Sequence, residues 1–212
     1  MDLAKYVIGN YGEELNDGSG LLKRNLCVGG SVMTGLSPGG VMVVAGVGSV
    51  PIATADYEGK AIVGVPHDFK LNSADMLKYE ESFTFGENDY AEFRAEFLHN
   101  LVHDAMPRMV RGDVRGLGDI VYDARINNHG PLGVKDCSLL YPPLEGMVNS
   151  VRHLYEEGHA DMMSLSSITP NIFALTREEN EERCLEAFEK TGLKTMSIPV
   201  HNKPYQVVKD KD

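Results

Sequence analysis

The sequence predicts an α+β fold in which helices cover one face of an antiparallel sheet. From residue 60 onward the hydrophobic patterns run strand, helices, strand, strand, helix, strand, which is the order of a ferredoxin-like split βαβ sandwich. A second observation is the stretch 163–174, MSLSSITPNIFA, in which a polar turn joins two short β-rich runs. This arrangement is typical of a β-hairpin inside such a sheet.

Each element is predicted from its hydrophobic period and from the turn residues that flank it. The predicted strands are 41–45, 60–66, 161–165, 171–175 and 193–199 with 205–208. The predicted helices are 3–15, 73–81, 90–110, 114–126, 142–157 and 177–191. The stretch 127–141 contains Asn, His, Gly and Pro and is predicted to be an exposed connection.

Size and charge limit the classes of function. A chain of 212 residues with 42% hydrophobic residues can bury the core of one domain with an N-terminal extension. Its net charge of -11 argues against a nucleic-acid surface, which needs clustered Lys and Arg, and against an anionic membrane surface. Residues 1–15 hold neither a long apolar segment nor a signal-peptide pattern, so we expect a cytoplasmic protein.

The cysteines do not predict a disulfide framework. Cys27, Cys137 and Cys184 are odd in number, widely spaced and set in apolar or helical contexts. We therefore expect free thiols in a reducing compartment.

The turn within 163–174 is the first candidate site. Ser166 and Ser167 are adjacent hydroxyls, and Asn171 follows two residues after Thr169. Such groups can hold a phosphate or an acceptor substrate. Equally, they can simply satisfy the backbone of a polar β-hairpin, as turn residues commonly do. Both interpretations stay open at the level of sequence.

A histidine pair is the second candidate. His99 and His103 are four residues apart on the predicted helix 90–110, so both rings should share one helical face. A zincin motif would need Glu directly after the first His, and the residue there is Asn100. With no third ligand in the pattern, we expect no protein-held metal and a structural or substrate-facing role for one histidine.

The glycine-rich segment 27–40 is the third candidate. Backbone N–H groups at Gly29, Gly30 and Ser31 could approach an anion if Ser31 begins a helix. A tight turn that lets a strand pack under a helix explains the same glycines. The GVGSVP stretch at 46–51 lacks the third glycine of a dinucleotide-binding loop and ends in proline, so we reject that interpretation.

Three arginines cluster near the junction of two predicted helices. Arg108, Arg111 and Arg115 could form a positive patch in an acidic chain. A solvated face is the predicted explanation, because Arg side chains are mostly exposed.

Several of these segments, taken in order, resemble one enzyme family. Ser166 and Ser167 followed by Pro170 and an apolar strand are similar to its GxSSxGP motif, and residues 29–44 are similar to its small-residue segment ending in a double glycine. Its helix with a histidine and a downstream Met-Pro pair resembles 99–107. The chain thereby resembles the C-terminal two-thirds of the GHMP small-molecule kinase superfamily, and within it most resembles the β-ribofuranosylaminobenzene 5′-phosphate synthases.

The resemblance implies a GHMP-kinase-like fold with two domains. Residues 1–58 would be a remnant of the N-terminal domain, and residues 59–212 would be the ferredoxin-like C-terminal domain. The implied reaction transfers ribose 5-phosphate from phosphoribosyl pyrophosphate to 4-hydroxybenzoate or 4-aminobenzoate with decarboxylation, as in methanopterin biosynthesis. Such a pentosyltransferase needs Mg²⁺, expected on the pyrophosphate of the substrate rather than on protein ligands.

The resemblance also implies the roles of particular residues. Ser166, Ser167, Asn171 and His99 would contact substrate, and the glycine-rich segment would bind phosphate through Gly29, Gly30 and Ser31. No catalytic base is assigned.

The family's PxxxGLGSS phosphate-binding loop has no counterpart in residues 1–15. We therefore expect a homodimer or a second subunit that supplies the loop, in an enzyme that is otherwise inactive. Two alternatives remain, an ATP-dependent small-molecule kinase of the same fold and a non-catalytic ligand-binding or regulatory subunit.

Overall fold

The computed structural model describes residues 40–44, 48–52, 56–70, 99–127, 133–166, 169–200 and 202. The chain divides into two compact units, Met1–Asp56 with His201–Asp212, and Tyr57–Val200. The domain assignment made from the sequence, 1–58 and 59–212, stays a prediction. The predicted helices 3–15 and 73–81 and the strand 205–208 lie outside the described residues.

Most of the described residues of the first unit form two paired β-strands. Strand β1, Gly40–Val44, pairs antiparallel with β2, Gly48–Ile52, in a register that sets Val44 opposite Gly48. The predicted strand 41–45 is confirmed to within one residue. The sequence did not reveal β2.

The second unit is built on a four-stranded antiparallel sheet. Its strands are β3 (Lys60–Val65), β4 (Met162–Leu165), β5 (Ile172–Thr176) and β6 (Lys194–Pro199). They lie in the order β4-β5-β3-β6, and every neighbouring pair is antiparallel. This order confirms the predicted ferredoxin-like α+β fold.

Helices fill the two crossovers of this sheet. Among the residues that the structure describes, five lie between β3 and β4, namely α1 (Met106–Val110), α2 (Val114–Arg125), α3 (Val134–Leu140), α4 (Leu144–Val151) and α5 (His153–Glu156). The sixth, α6 (Glu181–Glu189), follows a 3-10 turn and connects β5 to β6. A π-helical turn, Leu101–Ala105, leads into α1.

The core lies between the helices and one face of the sheet. Ile62 of β3 pairs with Ala174 of β5, and both are fully buried. Against them pack Leu154 and Phe188, which are also fully buried. Because side chains alternate along a strand, this single buried face explains why every second residue of β5 is buried.

Two predictions about the helical layer were wrong. The stretch 127–141 is not an exposed connection, because it contains α3, in which Val134 and Cys137 are buried one turn apart. The Gly and Pro residues that suggested a loop precede this helix. The predicted helix 142–157 is in fact two helices, with Arg152 between α4 and α5.

Candidate functional site

The β4–β5 turn is held by its own backbone. The Ser166 N–H donates to the Asn171 carbonyl over 2.9 Å, and the Thr169 N–H donates to the Ser166 carbonyl over 3.2 Å. The Thr169 hydroxyl donates to the same Ser166 carbonyl over 2.5 Å. These bonds hold Ser166, Thr169 and Asn171 together at the end of β4, and Pro170 between the last two is buried.

Its polar side chains therefore have different roles. Thr169 satisfies turn backbone, as the β-hairpin interpretation predicts. Ser166 is exposed, and its hydroxyl has no hydrogen-bond partner among the residues that the structure describes, so it is available to a ligand. Asn171 is half-buried beside it. Ser167 lies outside the described residues, and substrate binding by this turn stays a prediction.

His99 lies on a different element, just before the π-helical turn. Its ring is exposed and contacts the ring of His103, with centroids 4.6 Å apart and planes inclined by 39°. The prediction that both histidines share one helical face is confirmed. Within the described ranges, no group of three or more His, Cys, Asp or Glu side chains is arranged to hold a metal ion.

The predicted phosphate-binding residues Gly29, Gly30 and Ser31 lie outside the described residues. Of the predicted site, the structure thus brings together Ser166 and Asn171 and places His99 on a helix.

The prediction of a solvated arginine face is wrong for Arg108. Its Nε donates to Asp104 over 2.6 Å and its Nη1 donates to Asp113 over 3.2 Å. Asp113 in turn caps α2 by accepting from the Gly116 N–H over 2.8 Å. Arg108 therefore ties the π-helical turn to the start of α2.

The same prediction is wrong for Arg115. Its Nη1 donates to the carbonyls of Tyr155 and Ala160 over 3.0 and 2.6 Å, and its guanidinium lies 3.7 Å from the centre of the Tyr155 ring. Arg115 thus joins α2 to the segment that enters β4. Arg111 is exposed, as predicted.

A tyrosine, a carboxylate and an arginine lie at the end of the β4–β5 strand pair that is opposite its turn. The Tyr57 hydroxyl and the Arg177 Nε both donate to Asp161 Oδ2, over 3.0 and 2.7 Å. The Arg177 guanidinium also lies 4.5 Å from the centre of the Tyr57 ring. Asp161 directly precedes β4, so this network fixes the start of the strand that Ser166 follows.

The protein should lose stability at alkaline pH through this network. Burial, and then the Asp161 carboxylate, raise the pKa of Tyr57 above its ordinary value. Because the folded-state pKa is the higher one, the stabilisation is complete below about pH 10 and is lost as pH rises further. Urea unfolding at pH 9 and 11 should show a larger loss in the wild type than in Tyr57→Phe. Equal losses would contradict this assignment.

The described cysteines are poor nucleophiles. Cys137 and Cys184 are thiols outside any disulfide, both are buried, and burial raises the pKa of both. The free-thiol prediction is confirmed for these two, and Cys27 lies outside the described residues.

Among the helices described, none is long and apolar enough to cross a membrane.

Solved structures with a similar fold are small-molecule kinases and a related decarboxylase. A homoserine kinase from Cytophaga hutchinsonii matches with a TM-score of 0.56 and 16% identity, over 81% of this chain and 51% of that chain. An L. major mevalonate kinase in complex with R-mevalonate matches with a TM-score of 0.53 and 17% identity, over 81% and 52%. A mevalonate diphosphate decarboxylase from Staphylococcus aureus matches with a TM-score of 0.52 and 11% identity, over 77% and 50%.

These similarities establish the fold but neither the substrate nor the reaction. The chain has a GHMP-kinase-like α+β fold, and it spans about half the length of the structures it matches. No protein-family model and no curated protein matches the sequence.

Proposed function

We propose that this chain is part of a GHMP-fold enzyme that binds a phosphorylated small molecule at the β4–β5 turn. The observation that carries this proposal is the exposed Ser166 hydroxyl at the end of β4, on a residue whose backbone N–H and carbonyl are bonded to Asn171 and Thr169. A hydroxyl on a residue whose backbone is already hydrogen-bonded needs less additional ordering when it binds a ligand. The GHMP-kinase-like fold also supports a phosphorylated small molecule as the class of ligand.

The proposed reaction is transfer of ribose 5-phosphate to 4-hydroxybenzoate or 4-aminobenzoate. A bond forms between a ring carbon of the benzoate and the anomeric carbon as the bond to pyrophosphate breaks, and carbon dioxide leaves from that ring carbon. Ser166, Ser167, Asn171 and His99 orient the substrate in this proposal, and the Gly29–Ser31 segment binds phosphate. Mg²⁺ travels with the pyrophosphate and neutralises its charge. The motif resemblance supports this reaction.

A second candidate is phosphoryl transfer from ATP to a small alcohol. Two of the structural neighbours are kinases by name, which supports this candidate. In either case the proposal includes a homodimer, or a second subunit that supplies the phosphate-binding loop. A non-catalytic ligand-binding or regulatory subunit is the remaining alternative.

One set of assays separates these functions. Purified protein with Mg²⁺, phosphoribosyl pyrophosphate and either benzoate should release equal amounts of pyrophosphate and carbon dioxide. Formation of ADP from ATP that depends on one of a panel of small alcohols would instead identify a kinase. Calorimetry should detect binding of phosphoribosyl pyrophosphate or ATP even without turnover, as a binding subunit would show. If neither ligand binds, the proposed function is wrong.

Replacing Ser166 should affect binding more than folding. Ser166→Ala removes one exposed hydroxyl donor to the ligand, so we expect about tenfold weaker binding of phosphoribosyl pyrophosphate. The melting temperature should fall by less than about 2 °C, because that hydroxyl has no hydrogen bond to any residue that the structure describes. Ser150→Ala, at an exposed serine of α4, is the matched control and should leave affinity unchanged. Unchanged affinity in Ser166→Ala would exclude the turn as the binding site.

A further inference from the structure

We propose that His99 and His103 form a two-histidine site for a divalent transition-metal ion of the zinc, nickel or copper class. Neutral imidazole is the preferred protein ligand of these ions. The proposal does not rest on the proposed function, since it concerns metal binding alone. It modifies the prediction made from the sequence, which required a third protein ligand.

The ring geometry fits one shared ion. The imidazole centroids are 4.6 Å apart, and both side chains are exposed. Two nitrogens on a tetrahedral zinc ion, with bonds of about 2.1 Å, are about 3.4 Å apart. Ring nitrogens lie on the rim of each imidazole, so centroids at 4.6 Å allow two of them to approach this separation by small rotations of the side chains.

The backbone at this position is also unusual. His103 lies within the π-helical turn Leu101–Ala105, and His99 lies just before it. A π-turn inside a helix is rare and occurs frequently at functional sites. An ion held by both rings would connect the residues on either side of this turn.

The remaining coordination positions of such an ion would be filled by water. Asp104 is adjacent to His103, but its carboxylate is bonded to Arg108 at 2.6 Å. Two protein ligands give a weaker site than a closed four-ligand zinc centre, and the open positions leave it accessible to anionic ligands. The net charge of -11 favours the approach of cations to the chain.

A titration with the metal alone tests this site. The untagged full chain is titrated with ZnCl₂ or NiCl₂ by calorimetry, together with His99→Ala and His103→Ala. Each variant should bind at least about tenfold more weakly, because the second imidazole of a chelating pair binds at a high effective concentration. His153→Ala, at an exposed histidine of α5, is the matched control and should bind as the wild type does. Circular dichroism checks that all variants are folded.

A second measurement identifies the ligands directly. Electron paramagnetic resonance of the Cu²⁺-loaded wild type should show two nitrogen ligands, and either histidine variant should show at most one. If the wild type binds no more tightly than the single variants, the ion is adventitious and the proposal is wrong. The proposal also fails if binding is unchanged when both histidines are replaced.

Discussion

Replacing Gly118 by alanine should lower the free energy of unfolding by about 3 kcal/mol. A Cβ at this position in α2 would overlap the carbonyl oxygen of Asp161 and would lie 3.1 Å from the Cα of Met162. Both obstacles are backbone atoms at the start of β4, so they can move only if the helix and the strand separate. The gain in helix propensity from Gly to Ala, about 1 kcal/mol, is too small to offset this overlap.

The control for Gly118 is another glycine in a helix of the same unit. Gly146 in α4 is exposed, and a Cβ there meets nothing within 4 Å. Gly146→Ala should therefore stabilise the protein by about 0.5–1 kcal/mol, through propensity alone. Urea unfolding of both variants, fitted with a common slope, measures the two effects. If Gly118→Ala were as stable as Gly146→Ala, the close approach of α2 to β4 would be wrong.

The separation of α2 from β4 in Gly118→Ala should also affect the candidate site at the β4–β5 turn. Gly118 sets the position of α2 against the first residues of β4, and Ser166 follows the last residue of the same strand. In Gly118→Ala, ligand affinity should therefore fall together with stability, whereas in Ser166→Ala only affinity should fall. The pair of variants separates a residue that positions the turn from one that contacts the ligand.

The sequence predicted the sheet because its signals are local. The short apolar runs of β3 and β5, and the turn residues between β4 and β5, are signals that extend over only a few positions, so strand limits and the βαββαβ order could be predicted. The helix α3 was missed because it is short, only two of its residues, Val134 and Cys137, are buried, and glycine and proline precede it. The burial of this helix depends on core residues that are distant in the sequence, and local patterns do not indicate which of them it will contact.

Long-range polar contacts were missed for the same reason. Nothing near Arg115 in the sequence indicates that its partners are carbonyls 40 and 45 positions away. An exposed face was the reasonable expectation for an arginine on a helix, and tertiary packing overrode it. The π-helical turn beside His99 likewise has no local sequence signature of its own.

Arg115 is the second position where a substitution should have a large effect. Arg115→Met keeps the apolar stem and removes the guanidinium, so the Tyr155 and Ala160 carbonyls lose their shared donor, and the Tyr155 ring loses a cation at 3.7 Å. The Tyr155 carbonyl still accepts from the Gly158 N–H over 3.0 Å, so the lost bond to the Ala160 carbonyl and the lost cation on the ring account for the effect, and we expect a loss of about 1–2 kcal/mol in the free energy of unfolding. Arg115→Lys should recover little of it, because an ammonium group cannot reproduce the planar stacking on Tyr155.

Arg111→Met provides the comparison, since Arg111 is an exposed arginine four positions earlier in the chain. Its effect should stay within about 0.5 kcal/mol, as for most surface substitutions. A similar loss in the Arg111 and Arg115 variants would mean that removing any positive charge from this acidic chain is responsible, rather than the contacts of Arg115. A loss confined to Arg115 would show that this side chain joins α2 to the segment entering β4. Together with Gly118, it would then fix the strand on which the candidate site depends.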